Sequence, residues 1–307
     1  MRTAFVNELV KQAEHNSSIV LITGDLGFGT LEPYIEKFPS RFINAGVAEQ
    51  NMIGMAAGLA LSGKIVFVYS IANFPTMRCL EQIRNDVAYH KLNVNIVAVG
   101  GGFTYGTQGY THYGIEDLAI MGALPNLSII APGDPVETRC LLPQIINHSG
   151  PCYLRLGRAG EPVVHKNENE DLHLGKACIV KPGNDISIIT TGGMLDSGMQ
   201  VAERLSEEKI HARVISMHTY KPIDELAILA AASETKAILT LEEHIISRGL
   251  GASVADVLVK HNKYTLLIKI GAGEEDIYNI GTQEYMRHMM GGINHITQTA
   301  LHLLKTM

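Results

Sequence analysis

Glu49 is singled out by its surroundings. It opens a helical pattern in FINAGVAEQNMIGMAAGLALSG, with Ala45, Gly46 and Ala48 before it and Gly54, Ala56, Ala57 and Gly58 after it, where bulky residues would be expected. A helix this thin lets another backbone or a flat ligand come close. The competing explanation is a tightly packed helix whose acid gains about 0.3–1 kcal/mol from its first-turn position. On spacing alone that explanation is the better one. The next apolar run, Phe67-Val68-Tyr69-Ser70-Ile71-Ala72-Asn73-Phe74, supplies rings that could form a stacking platform or be buried bulk. GGGFTYGTQGYTHYGIEDLAIMG follows, with glycines at 100, 101, 102, 106 and 109 around Gln108 and His112. Such a loop between a strand and a helix is where α/β sheets build ligand sites. LRLGR then holds Arg155 and Arg158, side chains suited to bidentate oxyanion binding or to ordinary surface ion pairs. The chain has 13 histidines, so most carry no role.

These residues need a scaffold that brings loops together. SIVLITGD, KIVFVYSIA, VNIVAVGGG and LSIIAPGD are short apolar runs separated by helical patterns such as CLEQIRNDVAYHK and Val136–Ile146. That alternation is the mark of a parallel sheet fed by crossover helices. PCYLRLGR closes this half, and residues 165–184 are polar and turn-rich, with a charged patch at Lys166–Asp171. The rhythm restarts with DISIITTGG, a helix over Asp196–Lys209, the strand HARVISMHT, a helix after Pro222, the strand AILTLEEH and a last helix beginning near Asn294. The expected fold class is α/β, as two α/β domains at 1–164 and 185–307 with 165–184 as the linker.

Composition excludes several classes. A chain of 307 residues, 46% hydrophobic and 18% charged, can bury two cores. Its net charge of −6 and scattered Lys and Arg leave no basic stripe for nucleic acid. Cys79, Cys140, Cys152 and Cys178 lack CxxC spacing, which points away from a zinc site or a disulfide framework. No apolar run approaches the roughly 20 residues of a membrane span. MRTAFVNELVKQAEH has helical spacing rather than the build of a signal peptide. The expected location is the cytoplasm.

Asn44, Gly46, Val47, Ala48, Glu49, Gln50, Asn51 and Met52 together resemble the pattern N-G-(I/V)-A-E-Q-(N/A)-M. Transketolases, deoxyxylulose-phosphate synthases and the β subunits of 2-oxoacid dehydrogenases share it. Lys221-Pro222-Ile223-Asp224, and Glu242-Glu243-His244 followed by Gly249-Leu250-Gly251, resemble the C-terminal transketolase domain. The resemblance implies a parallel-sheet domain that binds the pyrimidine of thiamine diphosphate, then a smaller transketolase C-terminal domain. It implies that Glu49 hydrogen-bonds N1′ of the aminopyrimidine and shifts it toward the imino tautomer, whose 4′-imino group removes the thiazolium C2 proton. Phe74 is the expected stacking ring and Tyr69 the second choice, with Phe67 alternating into the core. Asp25, after the first strand, is placed at the cofactor. The loop is similar to D-G-x-T-H-x-x-x-E-D, which makes His112 the substrate-facing histidine. Gln108 stands where sugar-phosphate transketolases have an aspartate that binds a hydroxyl, and Gly100 where they have a second histidine, so their usual ketose phosphates are not implied. Arg158 matches an arginine that grips a substrate phosphate, with Arg155 its neighbour.

The family holds the cofactor's diphosphate through Gly-Asp-Gly and a later asparagine. Here Leu26 breaks Gly24-Asp25-Leu26, and Gly133-Asp134-Pro135 has no matching asparagine. No metal ligands are expected in this chain. Because Met1 leads straight into the first domain, the expectation is a separate partner resembling the N-terminal part of transketolase, in an α2β2 heterotetramer. That partner would hold Mg2+ or Ca2+ and the diphosphate of the shared thiamine diphosphate. The implied reaction moves a two-carbon ketol unit from a ketose to an aldehyde. The alternatives are a 2-oxoacid dehydrogenase β subunit, a 1-deoxyxylulose-5-phosphate synthase-like carboligase, and a non-catalytic homologue that supports its partner.

Overall fold

The computed structural model describes residues 1–166 and 172–305. Beyond Lys166, the charged patch lies outside the described residues. The first six strands are β1 (Ile19–Thr23), β2 (Phe42–Asn44), β3 (Ile65–Ile71), β4 (Val94–Val99), β5 (Ser128–Ile130) and β6 (Cys152–Leu156). They are followed by β7 (Cys178–Lys181), β8 (Ile186–Thr190), β9 (Ala212–Ser216), β10 (Thr219–Lys221), β11 (Ala237–Ile245) and β12 (Leu266–Ala272). A seven-stranded sheet runs β10-β5-β6-β4-β3-β1-β2, parallel except at β10-β5. A five-stranded sheet runs β12-β11-β8-β9-β7, parallel except at β7-β9. No helix among the described residues is long and apolar enough to cross a membrane.

The continuous apolar runs are explained by helices covering both faces of the larger sheet. Met52, Ile53 and Ala56 of the helix Glu49–Leu61 pack with Ile22, Val66, Val68 and Ile96. Phe5, Val6 and Leu9 of the helix Arg2–His15 pack with Leu21, Phe67, Tyr69 and Val97 on the opposite face. The run CLEQIRNDVAYHK is only briefly α-helical, at Leu80–Gln82, and widens into π-type turns over Ile83–Ala88. Phe74–Arg78 is a second such turn. Widened turns of this kind concentrate at functional sites.

Two further features differ from the sequence reading. HARVISMHT is not one strand: β9 stays in the smaller sheet, while β10 joins the larger one, with Thr219 opposite Ile130 and Lys221 opposite Ile129. The handover takes place at a single step. The Met217 N–H still donates to Thr190 of β8, whereas the His218 carbonyl accepts from Ala131, just past β5. A β-branched run carries no mark of which sheet each part joins. Likewise Cys178–Lys181, inside the stretch read as a linker, is β7 of the smaller sheet. One apolar core therefore spans both parts, joining Ile96 and Tyr153 to Ile189, Met217, Leu250 and Val254.

Candidate active site

The chain steps from β1 outward to β2, then crosses back over β1 to reach β3. At such a reversal the carboxyl ends of the strands open a crevice that takes ligands. Asp25 follows β1, Glu49 follows β2, Phe74 follows β3 and His112 follows β4.

Asn44, at the end of β2, ties the crevice's first rim. Its Oδ1 accepts from the N–H groups of Asp25 and Gly46 at 3.0 Å each, and its Nδ2 donates to Asp25 Oδ1 at 3.0 Å. Asp25 and Gly46 both have left-handed backbones, with φ of 58° and 71°, so the turn that delivers Glu49 is tightly specified. Glu49 is 5% exposed and sits in the first turn of its helix, where the dipole favours a carboxylate. Its Oε1 accepts from Arg78 Nη1 at 2.7 Å. The same guanidinium lies over the Phe74 ring, 4.0 Å from its centroid. Phe74 in turn meets the His112 imidazole edge-on at 5.3 Å.

His112 is held by its neighbours. Its Nδ1 lies 2.9 Å from the Thr111 hydroxyl, and Asn73 donates to the Thr111 carbonyl. Partial burial, and after it the Arg78 charge, lower its pKa, which favours the neutral ring. Tyr105 stands 6.5 Å from His112, and the Arg158 guanidinium 6.0 Å from Tyr105. Glu49, Arg78, Phe74, His112, Tyr105 and Arg158 thus form a continuous wall. Gly100, at φ 89°, lies under Tyr105, and a Cβ there would fall 2.2 Å from the ring. The tyrosine fills the space a histidine at 100 would need. The smaller sheet's side of the molecule supports this loop: Tyr113 donates to the Asn279 carbonyl, and a Cβ on Gly106 would strike the Gly281 oxygen at 2.4 Å.

Two expected site residues lie elsewhere. Tyr69 is 1% exposed and stacks on Phe5 with centroids 6.3 Å apart. Side chains two apart on a strand share a face, so the alternation that buries Phe67 buries Tyr69 with it. Arg155 is neither a surface cation nor a companion to Arg158. It is 4% exposed, and its Nε donates to Asp117 Oδ2 at 2.8 Å. Its Nη2 donates to the carbonyls of Gly114 at 2.6 Å and Glu243 at 2.9 Å. The interior strand β6 carries Arg155, whereas Arg158 lies beyond the strand's end and is exposed, as is Gln108 in the turn Gly106–Gln108. The sequence reading missed Arg78 and Tyr105. The signal for Arg78 was its position four residues after Phe74, on the same helical face.

A flat, nitrogen-rich ring fits this crevice. Phe74 offers a face, Glu49 offers a buried carboxylate, and a planar guanidinium already satisfies both. Residues 1–161 match the model of the transketolase pyrimidine binding domain, and residues 175–274 that of the transketolase C-terminal domain. The chain belongs to the transketolase family. Among transketolase relatives, a putative transketolase C-terminal section from Methanocaldococcus jannaschii is 41% identical over 276 residues, 89% of this chain and 86% of that one. One of the subunits of an apulose-4-phosphate transketolase from Phocaeicola vulgatus is 38% identical over 305 residues, 99% of this chain and 97% of that one. A solved split gene transketolase, described as an inactive beta4 tetramer, superposes with a TM-score of 0.91 at 35% identity, covering 99% of this chain and 98% of its own. A 1-deoxy-D-xylulose-5-phosphate synthase from Desulforudis audaxviator also matches, at 36% identity, but this chain spans only 40% of it. Coverage therefore sets the transketolase chain among the C-terminal sections and corresponding subunits of split transketolases, and the family implies thiamine diphosphate as cofactor.

Proposed function

We propose that this chain activates thiamine diphosphate for two-carbon ketol transfer and does so only with a partner subunit that holds the diphosphate and its Mg2+ or Ca2+. The observation that carries the proposal is the buried Glu49 carboxylate facing the Phe74 ring across one flat group. Bound thiamine diphosphate supplies the nucleophilic carbon that cleaves a ketose and carries the two-carbon unit to an aldehyde. Glu49 holds a proton at the pyrimidine N1′, and its burial strengthens that hydrogen bond. Phe74 supports the pyrimidine face. Asp25 and Asn44 fix the turn that aims Glu49. Neutral His112 hydrogen-bonds the reacting carbonyl oxygen.

Exposed Arg158 marks the outer end of the wall and would take a substrate phosphate, and Gln108, exposed in the turn Gly106–Gln108, would take a hydroxyl. The name of the Phocaeicola vulgatus relative supports a phosphorylated ketose as substrate. The broken Gly24-Asp25-Leu26 triplet and the relatives that are themselves subunits of split transketolases support a partner subunit; the assembly we propose is a cytoplasmic α2β2 heterotetramer in which each cofactor lies between unlike chains. Calorimetric titration of thiamine diphosphate into the chain alone and into the reconstituted pair tests this. Binding is expected only in the pair, and micromolar binding by the lone chain refutes the divided site. Glu49→Ala should remove nearly all turnover; unchanged turnover would favour the non-catalytic reading.

A further inference from the structure

Arg78 makes both contacts that the proposed cofactor site needs. It bonds Glu49 at 2.7 Å and covers the Phe74 face at 4.0 Å. Glu49 is 5% exposed, so the crevice admits one planar partner to its Oε1, and Phe74 presents one face beside it. The guanidinium is flat, delocalised and rich in N–H donors, the features that let it stack on an aromatic ring and bond a carboxylate together. An aminopyrimidine asks for the same two groups in the same plane. We propose that Arg78 competes with the aminopyrimidine for Glu49 and Phe74, and that it must turn outward before the cofactor can seat. This inference rests on the cofactor reading given above.

The local structure suits that motion. The Arg78 side chain is 48% exposed, so water receives its charge as it leaves. Its backbone stays fixed, because Gln50 Nε2, one residue beyond Glu49, donates to the Arg78 carbonyl at 3.0 Å. The tether keeps the guanidinium within reach of Glu49, so release is a side-chain rotation about an anchored turn. Arg78 is thus a positioning residue that sets how readily the site opens, through a cation that is exchanged for the pyrimidine.

The test is calorimetric titration of thiamine diphosphate and Mg2+ into the reconstituted pair with wild-type, Arg78→Met and Arg78→Lys chains. Methionine keeps the length and loses the charge and the fork. It should tighten cofactor binding by about three- to tenfold, the size expected for a half-exposed ion pair with one cation–π contact. Lysine, a point charge without a planar face, should fall between the two. The gap between wild type and Arg78→Met should narrow as salt is raised and shrink in a Glu49→Ala background to what the Phe74 contact alone gives. Equal or weaker binding by Arg78→Met overturns the competition. Glu49→Gln in the same series separates the two levels of argument. If it too leaves the affinity unchanged, the cofactor assignment fails; if it alters affinity while Arg78→Met does not tighten it, only the competition fails.

Discussion

Arg155→Met separates a structural role from a substrate-binding one. Methionine fills much of the same volume but donates nothing, so Asp117, 1% exposed, keeps its charge beside the Tyr153 hydroxyl at 2.9 Å. The carbonyls of Gly114 and Glu243 lose the Arg155 donor as well, although Gly114 keeps the Gly102 N–H. Taking one partner from a buried ion pair costs about 3–5 kcal/mol. Both side chains are at most 4% exposed, so solvent screening does not reduce that figure. With an unfolding slope of about 3 kcal/mol per M urea for a chain of this size, the midpoint should fall by about 1–1.7 M. Adding Asp117→Leu removes the stranded charge and should recover most of the loss. Urea unfolding followed by circular dichroism reads both variants, and steady-state kinetics of the reconstituted pair reads the substrate. A single variant that loses less than about 1 kcal/mol while raising KM for a phosphorylated substrate would refute the buried-pair argument and restore Arg155 to the substrate site.

Glu49→Gln should lower turnover of the pair by at least about 10²-fold while the subunits still copurify; loss of copurification instead would mean that Glu49 holds the assembly. His112 has its pKa lowered from 6.5 by burial and the Arg78 charge, so the acid limb of kcat/KM should lie below that value and move up in Arg78→Met; a limb at 6.5 in both counts against its role. Burial lowers His244 to about 4. Between pH 6.5 and 4 the unfolded chain takes up a proton that the folded imidazole refuses, so its contribution falls with pH by up to about 3 kcal/mol. Glu242, pushed up to about 7 by burial, acts in the opposite sense as pH falls from 7 to 4.5. The readout is therefore the stability gap between wild type and His244→Gln, which should shift toward the variant as pH drops; a constant gap rejects the assignment. Gly100→Ala should cost about 1–3 kcal/mol, because φ is 89° and the new Cβ meets Tyr105. Tyr105→Ala in the same chain should return part of the thermal midpoint, and no recovery means that the clash is not the cause.

Where one periodicity decided the outcome, the sequence was readable. The parallel-sheet rhythm placed β1, β3, β4 and β8, and the small residues around Glu49 marked a helix against which a flat group can lie. Errors arose where two elements compete for one pattern. HARVISMHT is uniformly strand-like, so only tertiary pairing decides that Thr219 leaves the smaller sheet. Tyr69 follows its parity with Phe67 into the core, and its ring chemistry gives no sign of that. Arg155 was read by its proximity to Arg158, yet a strand end between them puts one inside and the other in water. Arg78 is legible only as the residue four places after Phe74; that its guanidinium also reaches Glu49 depends on the turn after β3, which no local pattern encodes.

The passage of β10 into the larger sheet works like a mortise joint. Cutting the chain between Gly157 and Lys176 would give one piece with the edge of β5 uncovered and another trailing a strand with nothing to pair. Unpaired edges of that kind recruit other chains and aggregate. The two regions matched as pyrimidine-binding and C-terminal domains are therefore poor candidates for separate expression. A division of such a protein between genes is mechanically tolerable only where it leaves this joint within one product.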